Sequence, residues 1–435
     1  MPVNPTYPGV YVQEIPSGVR TIAGVSTAIA LFIGRAKMGP LNAPQLILSY
    51  SDFERVFTSE DAGSELAYAV RLFFQNGGTQ CYVIRIAKDA VASAVNLKNE
   101  AGTEVLTVSA KSPGVSGDNI LGITGEGDFQ SGVAAGNDGS APELKDYDAA
   151  YQVADREIDL FNLLILPKDS GHTDNTTNSL WGPASVFGQN RRAFLLIDAP
   201  VWADAQAAID PQSGVNGLRV GLVKDYSAIF YPRLVIKNNG SDRKVGPAGA
   251  IAGLMARVDA NRGVWKAPAG TEADIRGIVG VEQRFSDSEN GVLNPNAINT
   301  LRVFPSGIVN WGARTMFGYN NSGSEYSYIP VRRLALFLEE SLYRGLQWVV
   351  FEPNDEPLWS QIRLNVGAFM HGLFRQGAFQ GKTPATAYFV KCDSETTTQN
   401  DINLGIVNII VGFAPLKPAE FVILSLQQIA GQLET

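Results

Sequence analysis

Ser64-Glu-Leu-Ala-Tyr-Ala-Val-Arg-Leu-Phe-Phe-Gln-Asn-Gly-Gly-Thr-Gln-Cys-Tyr-Val-Ile-Arg-Ile-Ala87 carries two structural periods in one run. Leu66, Ala69, Val70 and Phe73 recur at helical spacing. Asn76-Gly77-Gly78 is the stop a helix takes when its chain turns left-handed. Beyond that stop the period changes, and residues 80–87 form the short apolar run of a buried strand. A similar run, Ala28-Ile-Ala-Leu-Phe-Ile-Gly34, precedes the helix. Between the two, Ser51-Asp-Phe-Glu54 matches a capping box that opens a shorter helix. Strand, helix and strand on short links imply a partly parallel sheet. The fold class is therefore read as α/β, with α+β mixing.

The pattern continues on both sides of this stretch. Residues 1–24 read as an extended arm, because Pro2, Pro5, Pro8 and Pro16 exclude a helix. Within the arm, Tyr7 leads into a short strand with Val10 and Val12 on one face and Tyr11 on the other. One strand cannot stand alone in water and needs a sheet edge to join. Residues 25–90 are the first part of an inner α/β domain. Residues 91–150 are rich in glycine and small side chains, which predicts a small β-rich insertion. A middle α/β domain spans 151–300, with strands near 160–166 and 193–197, two more in 218–237, and helices near 201–209 and 246–257. Residues 301–418 complete the inner domain. Here the spacing predicts helices over 331–343 and 355–375, strands at 346–351 and 385–391, and a long strand near 402–413. A last strand near 419–429 makes residues 419–435 a second linker arm, with Phe421, Ile423, Leu424 and Leu426 as its apolar side chains.

Composition narrows the function. With 45% hydrophobic and 18% charged residues over 435 positions, the chain is long enough for two or three buried cores. Its net charge is −8, with both signs mixed along the chain, so no basic stripe suits a nucleic-acid backbone. No run approaches the 18 apolar residues of a membrane span. The start has no basic segment followed by an apolar one, so the expected life of the chain is cytoplasmic, with exit by a route that needs no signal. Cys81 and Cys392 sit in apolar runs and read as buried thiols.

Catalytic constellations are not found. His172 and His371 are far apart and lack co-ligands, so no metal or cofactor is expected. Gly377-Ala-Phe-Gln-Gly381-Lys382-Thr383 resembles a phosphate loop, but only three residues separate its glycines where four are required. It also follows a helix and precedes a strand, which is the reverse of the required context. A glycine turn with an exposed Lys382 fits better.

Several long blocks resemble the phage tail sheath family. They are Tyr7-Pro-Gly-Val-Tyr-Val-Gln-Glu14, Asn76-Gly-Gly-Thr-Gln-Cys-Tyr-Val-Ile-Arg85 and Ala252-Gly-Leu-Met-Ala-Arg-Val-Asp259. Arg262-Gly-Val-Trp-Lys-Ala-Pro-Ala-Gly270, Leu293-Asn-Pro-Asn-Ala-Ile-Asn299 and Trp311-Gly-Ala-Arg-Thr315 follow. Tyr328-Ile-Pro-Val-Arg-Arg333 and residues 348–354 complete the set. The segment 93–145 is shorter than the outer domains of large phage sheaths, and Ser112-Pro-Gly-Val-Ser-Gly-Asp-Asn119 keeps only part of a family pattern. This compact form is similar to the sheaths of pyocins and extracellular contractile injection systems.

The resemblance implies a non-enzymatic subunit that polymerises as stacked hexameric rings around an inner tube. It implies contraction from a metastable extended state that drives the tube into a target, without nucleotide. The implied partners are further copies of the chain, the tube protein, and baseplate and terminal cap proteins, in a particle that lysis could release. Strand-forming arms at both ends agree with subunits linked by added strands. The tube is expected to meet the polar face of helix 355–376, at Glu356, Arg363 and Arg375, or the turn at Lys382; a merely solvated face is the competing reading. Arg262, Trp265, Lys266, Trp311 and Arg314 are expected to form a structural junction, with Trp265 anchoring a glycine-rich hairpin. A non-contractile tail or capsid component is the alternative, and an ATP-binding enzyme resting on Gly377–Thr383 the distant one.

Overall fold

The computed structural model describes residues 20–59, 63–121, 130–238, 240–321 and 325–425. The expectations for Tyr7, Val10, Tyr11, Val12 and Leu426 lie outside these. The chain divides into two compact units, residues 27–333 with 417–435, and residues 1–26 with 334–416.

The larger unit is built on an eight-stranded sheet. Its order is Gly307–Asn310, Ile298–Phe304, Ser227–Tyr231, Phe194–Asp198, Leu163–Ile165, Ala30–Gly34, Cys81–Arg85, Gln45–Ile47. The six inner strands run parallel, and only the two edge strands are antiparallel. Parallel strands are covered on both faces, which is why they read as unbroken apolar runs. Every residue of Ala30–Gly34, Phe194–Asp198 and Ser227–Tyr231 is buried.

On one face, the helix Leu66–Asn76 lies against the helix Ala248–Arg262. Gly249 and Gly253 let the two backbones touch, because a Cβ at either would fall on a carbonyl oxygen of the first helix, Ala69 or Phe73. Gly77 ends Leu66–Asn76 with φ 117°, as its sequence predicts.

This sheet groups the segments differently from the sequence reading. Ala30–Gly34 pairs with Cys81–Arg85 on one side and Leu163–Ile165 on the other. Residues 25–90 therefore share a sheet with 151–300, and not with the bulk of 301–418. Periodicity reveals that a strand exists, but its partners are set by crossovers that periodicity does not record. Between these strands a separate antiparallel sheet, Glu104–Ser109, Ala94–Lys98 and Gln130–Ala134, occupies the insertion.

The smaller unit holds most of the helix Ile329–Gly345, the helix Glu356–Arg375, and a two-stranded sheet of Tyr388–Lys391 with Ile410–Phe413. Asp355 caps Glu356–Arg375 by accepting the Leu358 N–H at 3.2 Å. Leu358, Ile362, Val366 and Leu373 are buried along one stripe, as their spacing predicts.

Local corrections concern turn chemistry. Residues 346–351 form a 3-10 turn at Gln347–Val349 instead of a strand, because the chain must reverse between two helices within ten residues. The strand expected over 402–413 shrinks to Ile410–Phe413. Thr398 and Asp401 make a reciprocal cap that starts a short helix, Gln399–Asn403, and Gly405 turns at φ 72°. The capping residue of Tyr50–Phe57 is Ser49, which accepts the Asp52 N–H, so the helix begins earlier than Ser51 implied. The helices Leu144–Glu157 and Asp174–Asn190 were not legible in the sequence. Among the described residues no helix is long and apolar enough to cross a membrane.

Candidate functional site

The described residues next to each terminal segment are held by specific contacts. At the N-terminal end, the Arg20 N–H donates to Asn365 Oδ1 at 2.9 Å. The Arg20 guanidinium sits 4.6 Å above the Trp348 ring, an arrangement that attracts a cation. Ile22 is buried against Gly345.

At the C-terminal end, Arg314 donates through Nε to Glu420 Oε1 at 2.9 Å and through its terminal nitrogen to Oε2. Arg314 also donates to the Gly318 carbonyl at 3.0 Å, and the Tyr328 hydroxyl donates to Glu420 at 3.3 Å. Arg314 is 3% exposed. The hydrogen-bonded Glu420 carboxylate holds its guanidinium above the usual range.

Past Glu420 the chain changes character. Phe421, Val422, Ile423 and Leu424 are 72%, 89%, 90% and 79% exposed. Residues 421–425 form no strand, so the strand expected there is absent in this chain alone. An extended chain turns successive side chains to opposite sides, so this run is apolar on both sides. A soluble protein seldom leaves such a segment uncovered.

The smaller unit's sheet has only two strands among the described residues. Tyr388–Lys391 and Ile410–Phe413 pair only with each other among the described strands, and Phe389 and Ile410 are about half exposed. Two strands alone are marginal in water.

Of the residues expected to meet a tube, Glu356 and Arg363 pair with each other on the helix Glu356–Arg375. Arg363 is tied to Glu356 at 2.5 Å and to the Cys392 carbonyl. Arg375 and Lys382 are exposed. Lys382 lies in a turn whose glycines, Gly377 and Gly381, hold φ 81° and 119°. That turn runs from the helix Glu356–Arg375 into the short helix Pro384–Ala387, not from a strand.

Among the junction residues, Trp265 packs over Gly263 in the turn that ends Ala248–Arg262, in place of the expected hairpin. Arg262 pairs with Glu272 at 2.9 Å on the surface, and Lys266 donates to the Ala267 carbonyl. Trp311 stacks on Phe304 with ring centroids 4.5 Å apart, and Arg314 alone reaches an arm.

Open α/β sheets place ligands beyond the carboxyl ends of strands where the strand order reverses. Here that position lies between Ala30–Gly34 and Leu163–Ile165, and Arg35 fills it by gripping Asp169 at 2.8 and 2.9 Å. Next to it Glu65 takes Arg233 and the Gly246 N–H, while Asp198 accepts the Ala248 N–H at 2.7 Å. Burial pushes Asp198 up to about 7. His172 is buried on the Pro142 carbonyl, and His371 lies near the Tyr388 hydroxyl. Cys81 and Cys392 are free and buried. Among the described residues no group of three or more His, Cys, Asp or Glu could hold a metal ion. The charges at the sheet's end serve one another.

Sequence reasoning missed Asn365, Trp348 and Glu420 as arm anchors. Their partners lie 345 and 106 residues away, and no local signal links them.

Comparison with known proteins bears on these observations. Residues 143–316 match the phage tail sheath protein central domain, and residues 321–429 match the phage tail sheath C-terminal domain, together about two-thirds of the chain. The tail sheath protein of Burkholderia phage BcepMu is 24% identical, over 86% of this chain and 87% of that one. The helical sheath of the anti-feeding prophage in its contracted state superposes with a TM-score of 0.68 at 28% identity, covering 97% of this chain and 99% of that one. A chain from the baseplate structure of the same prophage gives 0.68 at 26% identity, covering 98% and 99%.

Proposed function

The chain belongs to the phage tail sheath family, and from that premise we propose that it is the repeating, force-transmitting subunit of a contractile sheath. The observation that carries this reading is the apolar run 421–424, exposed in the single chain and rooted by a buried ion pair. A segment anchored at one end and apolar on both sides is suited to a surface on another copy. The two-stranded sheet Tyr388–Lys391 and Ile410–Phe413 offers the edges, and the arm over 7–14 supplies a further strand. A donor segment on one subunit meeting an acceptor on the next is a heterologous contact. Repeated, it closes into rings or extends as a helix.

In this reading the rings are hexameric and stack around an inner tube. The subunits assemble in an extended, higher-energy arrangement, and relaxation to a contracted one moves the tube. The protein's work is mechanical, with the arms keeping neighbours joined while bodies slide, and no chemical step is assigned to it. Baseplate and cap proteins terminate the stack. Arg375 and Lys382 are the candidates for gripping the tube, since Arg363 is already held by Glu356.

The test is electron microscopy of the purified protein. Long hollow cylinders with a sixfold end view are expected, and a population of monodisperse particles at every concentration would overturn the reading. For the grip, Arg375→Glu with Lys382→Glu should abolish co-assembly with the tube protein and leave empty sheaths intact. Undiminished co-assembly would remove those two residues from the interface.

A further inference from the structure

Phe351 stands in the block 348–354, on which the family resemblance drew; Trp348 of that block holds Arg20, whereas Phe351 has no such role. It is fully exposed, at 101%, and its φ is +70°. A bulky side chain is strained in that left-handed region, where glycine is at ease. Val350 beside it is 58% exposed. In the single subunit an aromatic ring held in water by a strained turn stabilises nothing, and such strain is usually kept where a surface is used.

The same unit contains a hole. A cavity of about 340 Å³ opens between residues 21–24 and the helices Ile329–Gly345 and Glu356–Arg375. Ile22, Phe337, Phe369 and Leu373 give it an apolar floor, and Ala368 lies exposed at its rim. Asn365 forms part of the wall and is 1% exposed. Its Oδ1 is committed to the Arg20 N–H, which fixes the orientation of the amide, and its Nδ2 has no hydrogen-bond partner. A buried donor without a partner is costly, so an occupant bringing a carbonyl oxygen would relieve it.

We propose that Phe351 of one copy inserts into this cavity on a second copy of the chain, as a knob in a hole between successive subunits. The inference rests on the sheath reading and adds to it a contact that needs neither the strand expected over 7–14 nor the apolar run 421–424. Size agrees: an apolar cavity of about 150 Å³ takes a benzene molecule, so this one admits the phenyl ring and leaves room for Val350. Chemistry agrees as well, since the turn brings its backbone carbonyls with the ring. Within its own subunit Phe351 is fully exposed and does not occupy the hole. Phe351 precedes the first residue of the helix Glu356–Arg375, whereas Ala368 lies twelve residues into it, about 18 Å along the axis at 1.5 Å per residue. A knob before the helix and a hole lined by its second half are different surfaces of the chain, and a contact between them is head-to-tail, which propagates.

The experiment compares the full-length protein with F351G, A368W and F351C/A368C. F351G removes the ring and relieves the strained φ, so it should unfold at a temperature equal to or above the parent's. It should nevertheless need about tenfold more protein, or more, to polymerise, the size of loss expected for a buried aromatic anchor. A368W fills the hole from its exposed rim and should have the same effect. Oxidised sheaths of F351C/A368C should run as a ladder of disulfide-linked oligomers without reductant, while neither single cysteine variant forms one. A parent that polymerises while F351G does so at the same concentration overturns the proposal, as does an assembled double variant with no ladder. Unchanged sheath formation by F351G with loss only of tube co-assembly would assign Phe351 to the tube and equally overturn it. A parent that never polymerises sinks the sheath reading, and this contact with it.

Discussion

Arg314 and Asp198 are both ionisable groups removed from water, and their surroundings treat the charge in opposite ways. Arg314 keeps its charge because Glu420 and the Gly318 carbonyl take its donors. Removing the carboxylate would strand a buried cation, a change that costs about 3–5 kcal/mol when a pair is fully buried. Glu420 retains some contact with water, at 13% side-chain exposure, so Glu420→Gln is expected near the lower figure by urea unfolding. Arg314→Met combined with Glu420→Leu should recover most of that loss, because neither remaining side chain needs water. Asp198 differs, for burial outweighs the Ala248 N–H and raises its carboxyl from 3.8 to about 7. A folded-state value above the unfolded one means that the protonated form stabilises the fold. That contribution is whole below about pH 4 and is lost as pH rises through 7. The parent should therefore melt at a lower temperature at pH 8 than at pH 5, and Asp198→Asn should flatten that slope. A parent and variant with identical pH profiles would place the carboxyl in the ordinary range.

Helices and strands were legible where the burial of one element fixes its own sequence. Leu66–Asn76 announced itself through its stripe and its glycine stop, and Ala30–Gly34 through an unbroken apolar run. Elements governed by their neighbours were not. Residues 346–351 have the composition of a strand, yet the chain has to turn between two helices there. Asp174–Asn190 mixes threonine, asparagine, glycine and Pro183 and shows no clean helical stripe. Strand partners were invisible, since a parallel neighbour leaves no mark within the strand itself. The Ala248–Arg262 helix shows the same limit from another side. Gly249 and Gly253 look like weaknesses in a helix, but they are what permits its approach to Leu66–Asn76. Gly253→Ala, favourable for helix propensity alone, is therefore expected to destabilise the protein by about 1–3 kcal/mol through overpacking. An increase in denaturation midpoint would show that the two backbones do not need to touch.

At the scale of the molecule, the readable part of the site was its composition and the unreadable part its anchoring. The run 421–424 stands out in sequence because an apolar tail beyond Pro418 offers itself no local partner, while the strand expected over 7–14 lies outside the described residues. The clamps at Arg20 and Arg314 join residues too distant in sequence for any pattern to link them. Those clamps decide how the arms should be cut. A deletion from residue 419 would remove Glu420 and leave Arg314 buried without its carboxylate, so loss of assembly could reflect damage to the body. Deleting residues 421–435 keeps the root and removes the exposed apolar run. Burying that run accounts for a useful share of a contact: a fully covered Phe, Leu or Ile contributes about 1.5–3 kcal/mol, less the ordering of the arm. One such arm is a weak link, but a helical polymer repeats it at every subunit. The truncated protein is therefore expected to keep the circular dichroism and melting temperature of the parent while sedimenting as a single subunit. Its solubility should rise, since four exposed apolar side chains are gone. Intact cylinders from this truncation, at the parent's concentration, would show that the C-terminal arm does not join the lattice. A folded, non-assembling subunit whose defect is rescued by mixing in full-length chains would place the join there.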